Sequence, residues 1–306
     1  MIGEDRLRQV DVFFSLHDTM TLMEGHNISQ RPIGIFDSGV GGLSVLSAIQ
    51  QLLPHEHLLY LGDQAHIPYG PRRKVQIRDF AFEITSFLLR MGAKLIVVAC
   101  NTASAAALVE LRQNFPEIPF VGMEPAVKPA AETTQTGKVG VLATPTTFSG
   151  DLYASVVERF AKNVAIFQDT CPGLVEKIEA GDIQGSETRQ ILEKALRPML
   201  KKGIDTVVMG CTHYPFVIPL IQSITGPEVR IIDPAPAIAR QTRRLLDNHY
   251  LLNLGQIPGN VHYFTSGEIK RFSKILNVLL GQTGPIEKVF WKESLTIEDN
   301  PSTHPG

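Results

Sequence analysis

Short apolar runs alternate with helical patterns along most of the chain, and this alternation most constrains the fold. Each run is continuously apolar, and the stretches between the runs carry apolar residues at helical spacing. Continuous apolar strands separated by helices are typical of parallel sheets that are covered on both faces. The predicted strands are 33–37, 57–63, 94–100, 119–124, 138–144, 164–169, 205–211 and 229–233, and the predicted helices include 43–53, 74–92 and 187–203. The predicted fold class is therefore α/β, with doubly wound parallel sheets.

Four landmarks recur in the same order in the two halves of the chain. Each half has a strand glycine, then an aspartate, a cysteine and an acid–proline pair. The landmarks of the first half are Gly34, Asp63, Cys100 and Glu124-Pro125, and those of the second half are Gly140, Asp169, Cys211 and Asp233-Pro234. Any two α/β halves share strands, but matched thiols and acid–proline pairs favour a duplication. We expect two similar domains related by a pseudo-twofold axis, with the active site in the cleft between them.

The repeat also sets the predicted domain boundaries. A further strand at 261–267 and a helix at 268–281 exceed one copy of the repeat, and we expect them to cross back and complete the first domain. The polar, proline-bearing tail is predicted to be irregular. The predicted segments are an N-terminal extension 1–30, a discontinuous first domain 31–128 plus 237–281, a second domain 129–236 and a C-terminal tail 282–306.

Charge and cysteine content exclude several classes of function. The formal net charge of −2 over 306 residues gives no electrostatic reason to expect a nucleic acid or an anionic membrane as a partner. No apolar run approaches the roughly eighteen residues of a membrane span, and the N-terminus lacks the apolar segment of a secretory signal. Three cysteines, an odd number, do not make a disulfide framework. We therefore expect a reducing, cytoplasmic location.

The two matched cysteines are the strongest chemical signal. Cys100 and Cys211 each end a predicted strand, where ligands bind in open α/β sheets. A helix that begins directly afterwards would favour thiolate over thiol through its free N–H groups. His213 is a candidate proton donor or charge neighbour for the second cysteine. A single buried cysteine is more often a small apolar residue, but two at equivalent positions, each followed by polar residues, favour chemistry.

Paired thiols on opposite sides of one cleft suit a reaction that moves hydrogen from one face of a carbon to the other. If each sulfur lies about 3–3.5 Å from that carbon, the two are about 6–7 Å apart, too far for a disulfide. This geometry predicts a racemase or epimerase in which one cysteine is the base and the other the acid. A metal site is not expected, because the chain has no C-x-x-C and two Cys with one His leave zinc short of ligands.

Polar loops follow other predicted strands. FDSGVGG (36–42) places Asp37 and Ser38 after the first strand, and its glycines let backbone N–H groups approach a carboxylate or phosphate. Pro68-Tyr69-Gly70 is a turn that can present a phenol and a backbone amide, or an ordinary turn. Cys171 has no counterpart in the first half and is interpreted as structural.

Four motifs in this order and spacing, FDSGVGG, PYG, ACNTAS and GCTHYP, resemble the glutamate racemases of the cofactor-independent aspartate/glutamate racemase superfamily. The resemblance covers about residues 31–281. It implies interconversion of L- and D-glutamate without pyridoxal phosphate or metal, which supplies D-glutamate for peptidoglycan in a bacterial cytoplasm. It also implies that Cys100 takes the proton from D-glutamate and Cys211 takes it from L-glutamate.

The resemblance further implies the pocket residues and partners. Asp37 and His213 would support proton transfer, and Glu124 occupies a family-like acidic position. The implied substrate-binding residues are Asp37, Ser38, Tyr69, Gly70, Asn101, Thr102, Thr212 and His213. None of the motifs contains arginine, so neutral donors would hold glutamate in either configuration. A homodimer and activation by a muramyl-peptide precursor at residues 1–30 are further expectations. The alternatives are an enzyme of the same superfamily that acts on another acid, such as a racemase of another acidic amino acid, and a non-catalytic amino-acid-binding protein.

Overall fold

The computed structural model describes residues 28–292 and 294–297, and these form two mainly parallel sheets flanked by helices. The strands are β1 Ile33–Asp37, β2 Leu58–Gly62, β3 Leu95–Val98, β4 Phe120–Gly122, β5 Lys138–Ala143, β6 Ala165–Asp169, β7 Thr206–Gly210, β8 Arg230–Ile232, β9 Val261–Thr265, β10 Ile286–Trp291 and β11 Leu295–Ile297. The α-helices are α1 Leu43–Leu52, α2 Lys74–Arg90, α3 Asn101–Asn114, α4 Val127–Thr133, α5 Pro145–Phe148, α6 Asp151–Phe160, α7 Leu174–Glu179, α8 Ser186–Lys201, α9 Ile218–Thr225, α10 Ala235–Asn248 and α11 Ile269–Leu280. Short 3-10 helices span Ile28–Gln30 and Tyr214–Val217.

The two sheets share one strand order. The first sheet runs β11-β10-β9-β2-β1-β3-β4 and the second runs β6-β5-β7-β8. If β5 to β8 are the counterparts of β1 to β4, the second sheet repeats the β2-β1-β3-β4 part of the first. The strand glycines agree with this, because Gly34 lies on the central β1 and Gly140 lies on the central β5. The predicted α/β fold with two similar parallel sheets is confirmed, and a pseudo-twofold axis is consistent with it.

The central strands are continuously apolar because both of their faces are buried. In β3, Leu95 and Val97 pack into the core on one side of the first sheet, while Ile96 and Val98 pack into the core on the other. Helices α1, α10 and α11 cover the first side, and α2 and α3 cover the second. Burial of each such side chain stabilises the fold by roughly 1.5–3 kcal/mol, so alternate residues of one strand hold both helical layers in place.

The C-terminal tail differs from its prediction. Residues 286–291 form β10, parallel to β9, and β11 pairs antiparallel with β10. The prediction of an irregular tail was wrong here because it gave weight to the polar and proline residues. The run IEKVFW is rich in β-branched and aromatic residues, and Val289 and Leu295 are buried in the core beside α2. Residues 293 and 298–306 of the tail, like residues 1–27 of the predicted extension, lie outside the described residues.

Several predicted strands extend one or two residues past their true ends. The apolar pattern continues into Cys100 and Cys211, but both have left the sheet and belong to the loops that follow. Within the described part of the chain, no helix is both long and apolar enough to cross a membrane.

Candidate active site

A small cavity lies where the carboxyl ends of the two sheets meet. The first half contributes Ser38, Pro68, Tyr69, Gly70, Cys100, Asn101 and Thr102, and the second half contributes Thr144, Val175, Cys211, Thr212 and His213. The open space among these residues is about 20 Å³. Both thiols therefore line one cavity between the halves of the chain.

The other predicted site residues fall on or beside this cavity, with one exception. Asp37 lies just behind the lining residues, fully buried, where it accepts hydrogen bonds from Gly39 N at 3.1 Å and Thr212 Oγ1 at 3.3 Å. Burial raises the pKa of Asp37, and the positive charge of His213 opposes this rise. Glu124 is exposed and is not among the lining residues.

Cys100 caps the N-terminus of a helix. Helix α3 begins at Asn101, and the Cys100 sulfur accepts a hydrogen bond from Ala103 N at 3.4 Å. Its thiol also donates to Ser38 Oγ at 3.8 Å. Burial raises the pKa of Cys100 strongly, and the charge of Asp37 raises it further, although the hydrogen bonds from Ala103 and with Ser38 act in the other direction. Burial and the Asp37 charge thus favour the neutral thiol of Cys100 over its thiolate.

Cys211 has a different neighbour. After β7 the chain forms a turn and the Tyr214–Val217 3-10 helix, and the next α-helix begins only at Ile218. The support from a helix N-terminus that the sequence suggested for both cysteines is thus built only at Cys100. Instead, His213 Nδ1 lies 3.7 Å from the Cys211 sulfur. The imidazole is thus the ionisable group that contacts this sulfur.

Glu179, which the sequence reading missed, completes this arrangement. It is the last residue of α7, is 4% exposed, and its Oε1 lies 2.8 Å from His213 Nε2. Burial opposes the charge on both groups. For Glu179, the hydrogen bond and charge of His213 outweigh this and lower its pKa. For His213, the hydrogen bonds and charges of Cys211 and Glu179 raise its pKa well above the usual value. The pair is therefore ionised, with the imidazolium beside the Cys211 sulfur.

No spacing rule in the sequence pointed to Glu179. It lies 34 residues before His213 on a separate element, and its carboxylate is placed by contacts with the first half. Val40 N donates to it at 2.7 Å and Gln64 Nε2 at 3.0 Å. The same helix brings Val175 to the cavity, which the sequence also gave no reason to select.

The glycine loop 36–42 contacts the second half of the chain directly. A Cβ atom on Gly41 would lie 2.4 Å from His213 Nδ1 and 2.6 Å from Thr212 Oγ1, so a side chain is excluded there. Two backbone N–H groups of the loop, at Gly39 and Val40, donate to the protein carboxylates Asp37 and Glu179. The Val40 bond joins the two halves and the Gly39 bond lies within the loop, so both donors are used inside the protein and not for a ligand, as the sequence had suggested.

Two side chains on the first half differ in what they offer a ligand. The Tyr69 hydroxyl donates to Asp63 Oδ2 at 2.7 Å, so the phenol proton is already used inside the protein. The amide of Asn101 is buried, and among the described residues neither its nitrogen nor its oxygen has a hydrogen-bond partner. A buried amide without partners is costly unless a ligand or water satisfies it. Asn101 is thus ready to bind a polar substrate.

Comparison with known proteins agrees with this geometry. Residues 33–242 match the Asp/Glu/hydantoin racemase family. The glutamate racemase of Ectopseudomonas mendocina is 50% identical over 260 residues, which cover 85% of this chain and 98% of that protein. The chain belongs to this racemase family. All four motifs that carried the resemblance lie within the matched residues, and the chain is an isomerase of amino acids or related compounds.

Solved structures give the same result. The glutamate racemase of Escherichia coli, in complex with L-glutamate and the activator UDP-MurNAc-Ala, has a TM-score of 0.76 and 33% identity, covering 88% of this chain and 100% of that one. The glutamate racemase of Francisella tularensis, in complex with D-glutamate, has a TM-score of 0.74 and 30% identity, covering 86% of this chain and 98% of that one. The fold is that of the family.

Proposed function

We propose that this protein interconverts L- and D-glutamate by moving a proton between Cys100 and Cys211. The observation that carries the proposal is that both thiols line one small cavity, from equivalent strand ends of the two halves. A base on each side of the α-carbon is what inversion requires, because the proton must leave one face and return on the other.

The surroundings of the two sulfurs support a definite sequence of steps for L-glutamate. The Cys211 thiolate, stabilised by the His213 imidazolium, takes the α-proton, and the electron pair of the broken C–H bond stays on the α-carbon and its carboxylate. The Cys100 thiol then gives its proton to the opposite face and becomes a thiolate. For D-glutamate the roles are exchanged. Burial of Cys100, which raises its pKa, suits it to be the acid in the first direction.

Neutral groups would hold the substrate. The lining residues include no arginine or lysine, and their polar groups are hydroxyls, the Asn101 amide and the His213 ring. The amide and the hydroxyls of Ser38 and Thr102 can donate to the two carboxylates of glutamate, and the Thr212 hydroxyl, which donates to Asp37, can accept from the substrate amino group. Such donors suit a site that must accept both enantiomers through a small reorientation at the α-carbon. No metal or organic cofactor is needed for these steps.

We further propose that the product serves peptidoglycan synthesis in the cytoplasm, and that the protein forms a homodimer and responds to a muramyl-peptide precursor. The E. coli relative in complex with its activator supports the last point. The segment 1–30, on which an activator site was predicted, lies almost entirely outside the described residues. The activator is therefore proposed on the strength of the relative alone.

Hydrogen exchange tests the function. The protein is mixed with L-glutamate, L-aspartate or L-alanine in D₂O, and α-proton loss and optical rotation are followed by NMR and circular dichroism. We expect exchange and racemisation with glutamate, unaffected by chelators or carbonyl reagents. Exchange with aspartate but not with glutamate would favour a racemase of another acidic amino acid. Binding of glutamate without exchange would identify a non-catalytic amino-acid-binding protein. Such a protein would not need two thiols at its site.

A further inference from the structure

The C-terminal strand pair reaches the loop that lines the cavity through Trp291. The indole Nε1 of Trp291 donates to Asp63 Oδ1 at 2.9 Å. Its ring packs edge-on against His66 and Phe80, with centroid distances of 4.8 and 5.4 Å. Trp291 does not itself line the cavity. Any influence on the site must therefore pass through these neighbours.

Asp63 joins the tryptophan to the cavity wall. Its side chain is fully buried, and its oxygens accept hydrogen bonds from Tyr69 OH and Ser266 Oγ, both at 2.7 Å, besides the indole. His66 Nδ1 lies 2.9 Å from its Oδ2. A buried carboxylate depends on such donors because water cannot replace them. The loss of one donor therefore changes how firmly the carboxylate holds the others.

The loop between β2 and α2 needs this support. Pro68, Tyr69 and Gly70 form one wall of the cavity, but they lie in a connection without regular structure. Besides the backbone hydrogen bond from Arg72 N to Tyr69 O at 3.0 Å, side chains fix them: Tyr69 donates to Asp63, the Thr146 hydroxyl donates to the Gly70 carbonyl, and the neighbouring His66 ring stacks on Phe80 at 4.0 Å. Loops of this kind are the parts of a fold that open most easily. Their position at the site has to be fixed by packing from outside the loop.

We propose that Trp291 is a positioning residue, which holds the 68–70 turn against the substrate through Asp63 and Tyr69. This inference rests on the proposed function. If the turn is held loosely, it must become ordered when substrate binds. The free energy of this ordering raises the bound ground state and the transition state by the same amount. Removal of the tryptophan contact therefore raises KM and leaves kcat nearly unchanged.

Trp291→Phe tests the proposal, because it keeps an aromatic ring and removes the N–H donor. We expect KM for glutamate to rise about tenfold, as for the loss of one hydrogen bond to a charged group, with kcat within about twofold. Phe290→Leu is the matched control. Phe290 is a half-buried aromatic residue of the same strand whose side chain points to the opposite face. An unchanged KM in Trp291→Phe, or an equal rise in Phe290→Leu, would overturn the inference.

A double variant separates positioning from a general loss of stability. Trp291→Phe and Tyr69→Phe both act through Asp63, so the combined rise in KM should be smaller than the product of the two single effects. Independent effects that multiply fully would contradict the coupling. Wild-type protein that fails to racemise glutamate would remove the proposed function and this inference with it. Active wild type with an unchanged KM in Trp291→Phe would remove only the inference.

Discussion

Cys100 and Cys211 occupy equivalent strand ends in the two halves, yet their surroundings differ. Cys100 caps helix α3 and contacts the hydroxyl of Ser38, with the buried carboxylate of Asp37 nearby. Cys211 has no such helix and instead lies beside the ring of His213. The two halves thus agree in where each thiol lies but not in the groups that surround it. Cys100 is contacted by the Ser38 hydroxyl and the Ala103 N–H group, whereas Cys211 lies beside the His213–Glu179 ion pair.

This difference has a thermodynamic limit. L- and D-glutamate have equal free energies in water, so kcat/KM must be the same in both directions whatever the protein does to either thiol. The different surroundings of the two thiols can therefore change kcat and KM for each enantiomer, but not the ratio kcat/KM of one enantiomer relative to the other. Variants on either side should therefore lower kcat/KM for both enantiomers alike, while the pH dependence shows which thiol was affected.

The largest expected effect comes from the thiols themselves. Cys100→Ser and Cys211→Ser should each lower kcat/KM on the order of 10³-fold or more, because a hydroxyl is a far weaker acid than a thiol at neutral pH. Circular dichroism of glutamate over time measures the loss. Cys171→Ser, a change at a buried cysteine that does not line the cavity, should keep most of the activity. Near-full activity in both single variants would contradict the two-thiol proposal, because neither thiol would then be essential.

A smaller effect is expected at the ion pair. Glu179→Gln should lower kcat/KM about 10²-fold. With its partner carboxylate gone, the pKa of His213 falls from its raised value, so the imidazolium is lost at a lower pH and the alkaline limb of the pH profile moves down. The profile of kcat/KM measures this shift. Glu176→Gln, at an exposed position of the same helix, should leave both the rate and the limb in place. An alkaline limb that stays where it is in Glu179→Gln would show that His213 does not depend on this carboxylate.

The smallest effect is expected on the Cys100 side. Ser38→Ala removes one neutral hydrogen-bond partner, worth about 0.5–1.5 kcal/mol, so kcat/KM should fall only about threefold to tenfold. Steady-state kinetics with both enantiomers measures it, and the alkaline limb should not move. A loss as large as that of Glu179→Gln would mean that the two sides are supported equally, contrary to the structure.

The sequence predicted what depends on local pattern. Continuous apolar runs identified the buried strands, and the polar residues directly after them, such as Cys100 and Thr212, lie at the cavity because strand ends meet there. Glu179 and Trp291 could not be found this way. Each contacts a partner that is distant in the sequence: Glu179 lies 34 residues from His213, and Trp291 lies 228 residues from Asp63. Only the packing of helices and strands brings such pairs together.

The order of the strands along the chain has a consequence for turnover. In the described residues the backbone passes between the two sheets only twice, after β4 and before β9. The cleft can therefore widen by rotation about these two crossings while both hydrogen-bonded ladders stay intact. The space of about 20 Å³ between the lining residues has room for little more than roughly one water molecule. If glutamate is the substrate, as proposed, we expect it to enter and leave through such a rotation, so that a domain movement accompanies each turnover.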